Sequence, residues 1–338
     1  MTSLAVKYRP QEWEDVVEQK SVVQILKQQI ATNNIKNAYL FAGASGAGKT
    51  TASRILANKI NKGVGSPIEI DAASNSGVDN VRSIIANAQE RAIDSEYKIY
   101  IIDEAHALSN QAWQAFLKCI EEPPQYTIFI FCTTDPQKIP ATILNRVQRF
   151  NISRISTNGI KNRLAYICEQ EHFINYEESI DYISKIADGG MRDAIALLEK
   201  CASLSTNLDI NTTLSALGNY SYSSFFDLIN SMIDGNEKQV LSIIDTYYND
   251  GNDLKLFVDQ YLNFCIDVTK YALFKSCDLI RIPISMKDKL DNTVNIEGAN
   301  KYFQYIINKL LELKINIKND TNIQATIEVI FLQLTRCQ

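Results

Sequence analysis

Gly43, Gly48, Lys49 and Thr50 stand at the spacing G-x-x-x-x-G-K-[ST] within the run Gly43-Ala44-Ser45-Gly46-Ala47-Gly48-Lys49-Thr50-Thr51. In such a loop, glycine-permitted backbone turns successive N–H groups inward around a phosphate. The lysine reaches the β- and γ-phosphates, the hydroxyl of Thr50 sits on Mg²⁺, and the helix that follows aims its positive end at the same oxygens. The expected ligand is a nucleoside triphosphate held by residues 43–51. About fifty residues on, Lys98-Ile-Tyr-Ile-Ile-Asp103-Glu104 is an apolar run that ends in two carboxylates. Asp103 is expected to hold the Mg²⁺ shell together with Thr50, and Glu104 to orient and polarise the attacking water. A protein that only bound nucleotide would have no use for Glu104, so the chemistry implied is hydrolysis.

These groups need a scaffold that brings distant strand ends together. Apolar, β-rich runs at Ala38–Ala42, Pro67–Asp71, Lys98–Asp103, Tyr126–Thr133 and Gln148–Ile152 alternate with helical patterns at Ser21–Thr32, Thr50–Ile60, Val78–Ala92 and Ser109–Glu121. That alternation predicts an α/β fold with a parallel sheet covered on both faces. From about Ser153 the strands stop. Helical stretches at Thr157–His172, Glu177–Asp188 and Arg192–Ser203 predict a small bundle, with Gly189-Gly190 as the break before the third. After Leu208, apolar residues at helical spacing predict further helices at Tyr222–Asp234, Glu237–Tyr248, Leu254–Lys275, Gly298–Leu313 and Asp320–Leu334. This last segment carries no catalytic constellation, so packing and assembly are its expected work. The division is residues 1–152 for the nucleotide-binding core, 153–207 for a helical lid and 208–338 for a helical oligomerisation domain.

Composition narrows the classes further. Hydrophobic residues at 46% and charged residues at 22% are ordinary for a globular chain. No apolar run approaches the roughly 20 residues needed to cross a bilayer, and the N-terminus lacks a signal-peptide core, so a cytoplasmic protein without membrane contact is expected. The seven cysteines (Cys119, Cys132, Cys168, Cys201, Cys265, Cys277 and Cys337) are scattered and form no C-x-x-C pair, and His106 and His172 are the only histidines. Reduced, mostly buried thiols and no zinc site are expected, leaving Mg²⁺ arriving with nucleotide as the only metal. Net charge is −5, but residues 1–160 carry 17 Lys and Arg against 15 Asp and Glu. Nucleic acid, if bound, should therefore meet the first part of the chain through a local patch.

Further motifs surround this framework. Glu121-Glu122-Pro123-Pro124 precedes the run Phe131-Cys-Thr-Thr-Asp-Pro-Gln-Lys-Ile-Pro-Ala-Thr-Ile-Leu-Asn-Arg-Val-Gln-Arg-Phe150. Lys7-Tyr8-Arg9-Pro10 stands before Trp13-Glu-Asp-Val-Val, Ile70-Asp-Ala-Ala-Ser-Asn75 before Gly77-Val-Asp, and Gly190-Met-Arg192-Asp-Ala follows the helical break. Together these segments resemble the ATPase subunits of DNA sliding-clamp loaders, most closely the bacterial gamma/tau family of the replicative polymerase holoenzyme. The resemblance implies an AAA+ ATPase that uses ATP and Mg²⁺ as the motor subunit of a loader, placing a ring-shaped clamp on primer–template DNA. It implies partners as well: other loader subunits in a homo- or hetero-oligomer of five, the clamp and the DNA.

Carried over by position, the resemblance gives Thr134 as the sensor of the γ-phosphate, with Thr133 as the other candidate. Arg146 resembles the finger that enters a neighbouring subunit's site, and Arg192 the second sensor. Tyr8, Arg9, Pro10, Val16 and Val17 resemble the segment lining the adenine pocket. Ser74, Asn75 and Ser76 before Gly77, with Arg82 on the helix that follows, resemble the element that grips DNA phosphates, although Ser-Asn-Ser-Gly is equally what a helix cap looks like. There are departures. The family's four-cysteine zinc module is absent, its place closed by Asn58-Lys-Ile-Asn-Lys-Gly-Val-Gly-Ser-Pro67. The finger motif, usually Ser-Arg-Cys, is Asn145-Arg146-Val147, position 18 is Glu where the family favours Gly, and the chain ends at Gln338 without a tau-type tail. Two other readings stay in view: an AAA+ DNA-remodelling ATPase of the branch-migration type, and a non-catalytic stator subunit of a loader.

Overall fold

The computed structural model describes residues 2–218, 222–296, 298–320 and 322–336. Its first elements are α1 (Leu4–Lys7), α2 (Lys20–Ala31), β1 (Ala38–Gly43), α3 (Lys49–Ile60), β2 (Ile68–Asp71), α4 (Val78–Ala88), β3 (Lys98–Asp103), α5 (Asn110–Glu121), β4 (Thr127–Thr133), α6 (Ala141–Leu144) and β5 (Gln148–Ile152). Helices α7 (Thr157–Gln170), α8 (Glu177–Ile186) and α9 (Met191–Ala202) follow. The chain forms two compact units, Met1–Ile167 with Ala187–Ala196, and Cys168–Ile186 with Leu197–Gln338.

In the first unit the five strands make one parallel sheet in the order β2-β3-β4-β1-β5. Strands β1, β3 and β4 are buried along nearly their whole length, which is why they read as continuous apolar runs rather than alternating ones. The period of two still sorts their side chains. Leu40, Tyr100, Ile102, Phe129 and Phe131 face one side, where Trp113 and Phe116 of α5 and Val81 of α4 cover them. Tyr39, Phe41, Ile99, Ile101, Ile128 and Ile130 face the other, under Ile55 and Leu56 of α3 and Leu26 of α2. Each such side chain contributes about 1.5–3 kcal/mol on burial, so the two faces fix the sheet and with it the strand ends. The predicted α/β core with a parallel sheet is therefore observed. Edge strand β2 is mostly exposed, which explains its weaker apolar signature.

The second unit is all-helical. It holds α8 and then α10 (Ile210–Leu217), α11 (Tyr222–Ile233), α12 (Glu237–Asn249), α13 (Leu254–Phe274), α14 (Lys287–Val294), α15 (Ala299–Asn316) and α16 (Ile323–Arg336). Its core is built on Phe225, Phe257, Tyr261, Phe264 and Phe331, whose rings contact one another. Sequence reading passed over α10 and α14, each eight residues long and too short for a clear period. Asp209 marks the start of α10, its carboxylate accepting the N–H groups of Asn211 and Thr212, and this cap was a usable signal. Among the described residues no helix is long and apolar enough to cross a membrane.

The described cysteines are free, with all but Cys277 buried. Burial pushes the thiols of Cys132 and Cys168 up to about 12. Cys337 lies outside the described residues.

One buried charge in the second unit gives a stability prediction. Asp267 of α13 is 1% exposed. Its Oδ2 accepts the Arg281 N–H at 3.0 Å, while Oδ1 has no hydrogen bond and lies 3.7 Å from Lys270 Nζ. Burial raises its carboxyl above the ordinary carboxylate range, with Arg281 and Lys270 pulling the other way. Because the folded state holds this proton more tightly, the group's stabilising effect is full below the unfolded value of about 3.9 and is lost as pH rises through the folded one. Asp267→Asn keeps an acceptor for Arg281 and removes the ionisation. Its stability relative to wild type should rise as pH goes from about 4 to about 8, by on the order of 1 kcal/mol, read as a growing difference in melting temperature. A difference between the two proteins that stays constant across that range would mean Asp267 ionises in the fold at no cost.

Candidate nucleotide site

The loop between β1 and α3 has the shape its glycines permit. A Cβ at Gly43 would sit 2.2 Å from the carbonyl oxygen of Ile152 on β5, so only glycine lets the two strands pair at that point. Gly46 and Gly48 have φ of +69° and +105°, in the left-handed region. The loop is fastened to the start of α9, where the Met191 N–H donates to Gly46 O at 3.0 Å.

Lys49 opens α3 and is nearly buried at 6% exposure, its Nζ donating to the neutral carbonyl of Ala44 at 3.0 Å. Thr50 Oγ1 donates to Asp103 Oδ2 at 2.7 Å, joining the start of α3 to the end of β3. These are hard oxygen donors of the kind Mg²⁺ takes, and a lysine ammonium facing only a carbonyl has capacity for phosphate, so the residues present fit a Mg²⁺-bound nucleoside triphosphate. Ala44 to Ala47 complete the loop, and Thr51 lines the same pocket.

The strand order decides what else arrives. Because β4 lies between β1 and β3, its end falls between the glycine loop and the two carboxylates. Thr134 Oγ1 donates to Glu104 Oε2 at 3.3 Å, whereas Thr133 is fully buried, lies 3.2 Å from His106 Nδ1 and accepts the Asp135 N–H. Of the two threonines, Thr134 is the one at the glutamate. Glu104 takes a left-handed backbone (φ 47°, ψ 42°), a conformation costing about 1–2 kcal/mol for a residue with a Cβ. That turn swings its carboxylate off the strand direction and toward Thr134.

Tyr8, Arg9, Pro10, Val16 and Val17 line the same pocket, as does Arg192 on the first turn of α9. Burial and the nearby Arg54 and Arg192 push the Arg9 guanidinium down from its usual value, against the pull of Glu69. Cations crowded in this way favour an anion between them. Sequence reading missed Ala5, Ile155, Arg163, Met191 and Ile195, which also line the pocket. Arg163 Nη2 donates to Tyr8 O at 2.9 Å and its guanidinium lies over the Tyr166 ring, which stands nearly perpendicular to the ring of Tyr8. The pair Arg163 and Tyr166, three apart on α7, was the only local hint.

Arg146 stands apart from this pocket. Its Nη2 pairs with Glu121 at the end of α5 at 2.5 Å, and its Nη1 donates to Thr142 O at 2.7 Å. The segment expected to meet DNA is folded on itself: Ser74 Oγ and Asn75 Nδ2 donate to Asp71, and the Ser76 carbonyl accepts the Ser109 N–H. Gly77 caps α4 without a side-chain bond, and Arg82 forms an exposed pair with Asp79 at 3.1 Å.

Glu18, the departure at a family glycine, has φ 60°, so it holds the conformation that glycine would take freely. Its two carboxylate oxygens accept the N–H and the hydroxyl of Ser156, and Gln19 exchanges hydrogen bonds with Ser153.

Two segments of the chain match known family models. Residues 67–156 match the family model described as DNA polymerase III, delta subunit, and residues 208–337 that of DNA polymerase III subunits gamma and tau domain III. DNA polymerase III subunit gamma of Buchnera aphidicola subsp. Schizaphis graminum is 31% identical over 354 residues, spanning 98% of this chain and 97% of that protein. The chain belongs to the DNA polymerase III gamma/tau family. DNA polymerase III subunit tau of Bacillus subtilis is 36% identical over 286 residues, 78% of this gamma/tau chain. The match spans 51% of the B. subtilis protein, about half its length, and the same holds for the Salmonella typhimurium tau subunit at 34% identity. Among solved structures, the Thermotoga maritima RuvB Holliday junction branch migration motor aligns at 16% identity with a TM-score of 0.52 over 67% of this chain and 79% of that one. At that identity the likeness shows a shared fold alone.

Proposed function

We propose that this gamma/tau-family chain is an ATP-hydrolysing motor subunit of a sliding-clamp loader that puts a ring-shaped processivity clamp on primer–template DNA. The observation that carries the reading is the convergence of Lys49, Thr50, Asp103 and Glu104 in one pocket with Thr134 bonded to the glutamate. A stator subunit would have no reason to keep all of them. Lys49 and the loop N–H groups hold the β- and γ-phosphates. Thr50 and Asp103 would hold Mg²⁺, which would supply charge neutralisation for the phosphates. Glu104 orients the attacking water and takes its proton, and Thr134 registers the γ-phosphate through Glu104. Tyr8 to Pro10 with Val16 and Val17 take the adenine, and Arg192 reaches the phosphates from α9.

Residues 1–152 act as the ATPase core, 153–207 as its lid and 208–338 as the collar that joins subunits, five in the assembled loader. Ser74 to Ser76 and Arg82 meet the DNA backbone, and the protein works in the cytoplasm. The test is mass and ATPase rate with and without primed DNA and a candidate clamp. A five-subunit species stimulated by both supports the reading, while a hexamer stimulated by branched DNA supports the branch-migration alternative and silence under all conditions the stator.

The chain also works without zinc. Among the described residues no group of three or more His, Cys, Asp or Glu stands close enough to hold a metal ion. Elemental analysis of protein purified without chelator should return well under about 0.1 zinc per chain. One zinc per chain would point to a site built from separated cysteines.

A further inference from the structure

His106 lies on the turn Ala105–Ala107, which begins at Glu104, the Ala107 N–H donating to Glu104 O at 2.8 Å. Its Nδ1 is 3.2 Å from Thr133 Oγ1 and 3.3 Å from Glu104 Oε2. The roles above give this imidazole nothing to do.

Counting protons gives it one. Thr133 is fully buried and its Oγ1 already accepts the Asp135 N–H at 3.0 Å. Its own hydroxyl proton needs an acceptor, and His106 Nδ1 is the acceptor within reach. The neutral imidazole therefore carries its proton on Nε2 and a lone pair on Nδ1. That lone pair also faces Glu104 Oε2, so neutral His106 repels the carboxylate and leaves Thr134 as its donor. A proton taken from solvent onto Nδ1 reverses the contact, because N–H then donates to Glu104 and a positive charge sits beside the carboxylate. The other charged groups at these strand ends are engaged: Asp103 with Thr50, and Asp135 with Lys138 at 3.3 Å.

We infer that His106 is a positioning residue for Glu104, with its own proton as the control. Neutral His106 lets the carboxylate turn to the water it activates, and protonated His106 ties it back. The kinetic consequence rests on the ATPase reading; the protonation pattern does not.

Nitrogen NMR of the full chain with labelled histidine reads the pattern directly, with His172→Asn assigning the only other imidazole. Neutral His106 should carry its proton on Nε2, with Nδ1 free to accept from Thr133. A neutral form protonated on Nδ1 overturns the inference. In ATPase assays His106→Ala should lower kcat about tenfold with KM for ATP within about twofold, and His106→Asn, which offers Thr133 a carbonyl oxygen, should recover most of that loss. Wild-type kcat should decline on the acid side with one proton, and His106→Asn should not. An acid limb that persists in His106→Asn overturns the inference. A wild-type chain that hydrolyses no ATP would sink the proposed function and leave the NMR result standing.

Discussion

Glu104→Gln should lower ATP turnover by roughly 10²- to 10⁴-fold while ATP affinity stays within about threefold of wild type. The amide has the shape of the carboxylate but cannot take a proton from water, and Glu104 is not among the groups that hold the phosphates. Lys49→Ala should instead lose affinity and turnover together, since the nearly buried ammonium is the cation at the glycine loop. Equilibrium binding of a fluorescent ATP analogue beside single-turnover hydrolysis separates the two defects. Wild-type turnover in Glu104→Gln would remove that residue from the mechanism and leave Asp103 as the only functional carboxylate of the pair.

Arg146→Ala should cost about 10³ to 10⁵ in DNA-stimulated hydrolysis, or roughly 4 to 7 kcal/mol of transition-state stabilisation, with nucleotide binding intact. Its guanidinium rests on Glu121 and the Thr142 carbonyl rather than in its own chain's pocket. An exposed pair of this kind is worth under about 1 kcal/mol, so leaving Glu121 for a phosphate in a neighbouring subunit is cheap. A finger supplied by the neighbour makes hydrolysis wait for assembly. Mixing Arg146→Ala with Lys49→Ala, each inactive alone, should return part of the activity, because some interfaces then pair an intact loop with an intact finger. Subunit exchange is verified first by mass. If exchange occurs and no activity returns, Arg146 is a structural ion-pair residue.

What sequence made legible was what is local. The glycine loop, Lys49 and Thr50 are contiguous, and Asp103 and Glu104 end one apolar run, so spacing alone carried their chemistry. The parallel sheet followed from alternation, but the insertion of β4 between β1 and β3 is a pairing of distant segments that no local pattern encodes. The resemblance had already put Thr134 ahead of Thr133, but the contact of Thr134 with the glutamate depends on that pairing and on the left-handed turn at Glu104, and neither is written in the residues. Ile155, Arg163 and Ile195 escaped for the same reason, since each reaches the pocket from a helix or turn whose own sequence is ordinary. In the second unit α10 and α14 were too short to show a period.

The strained Glu18 also bears on how this sequence can change. Reverting it to the family's glycine would relieve a backbone conformation worth about 1–2 kcal/mol and at the same stroke strip Ser156 of the acceptor for both its N–H and its hydroxyl. Consensus engineering, which treats each position as independent, would count that reversion as a gain. Here the backbone at position 18 and the two bonds to Ser156 are coupled, so the effect of a change at 18 depends on the residue at 156.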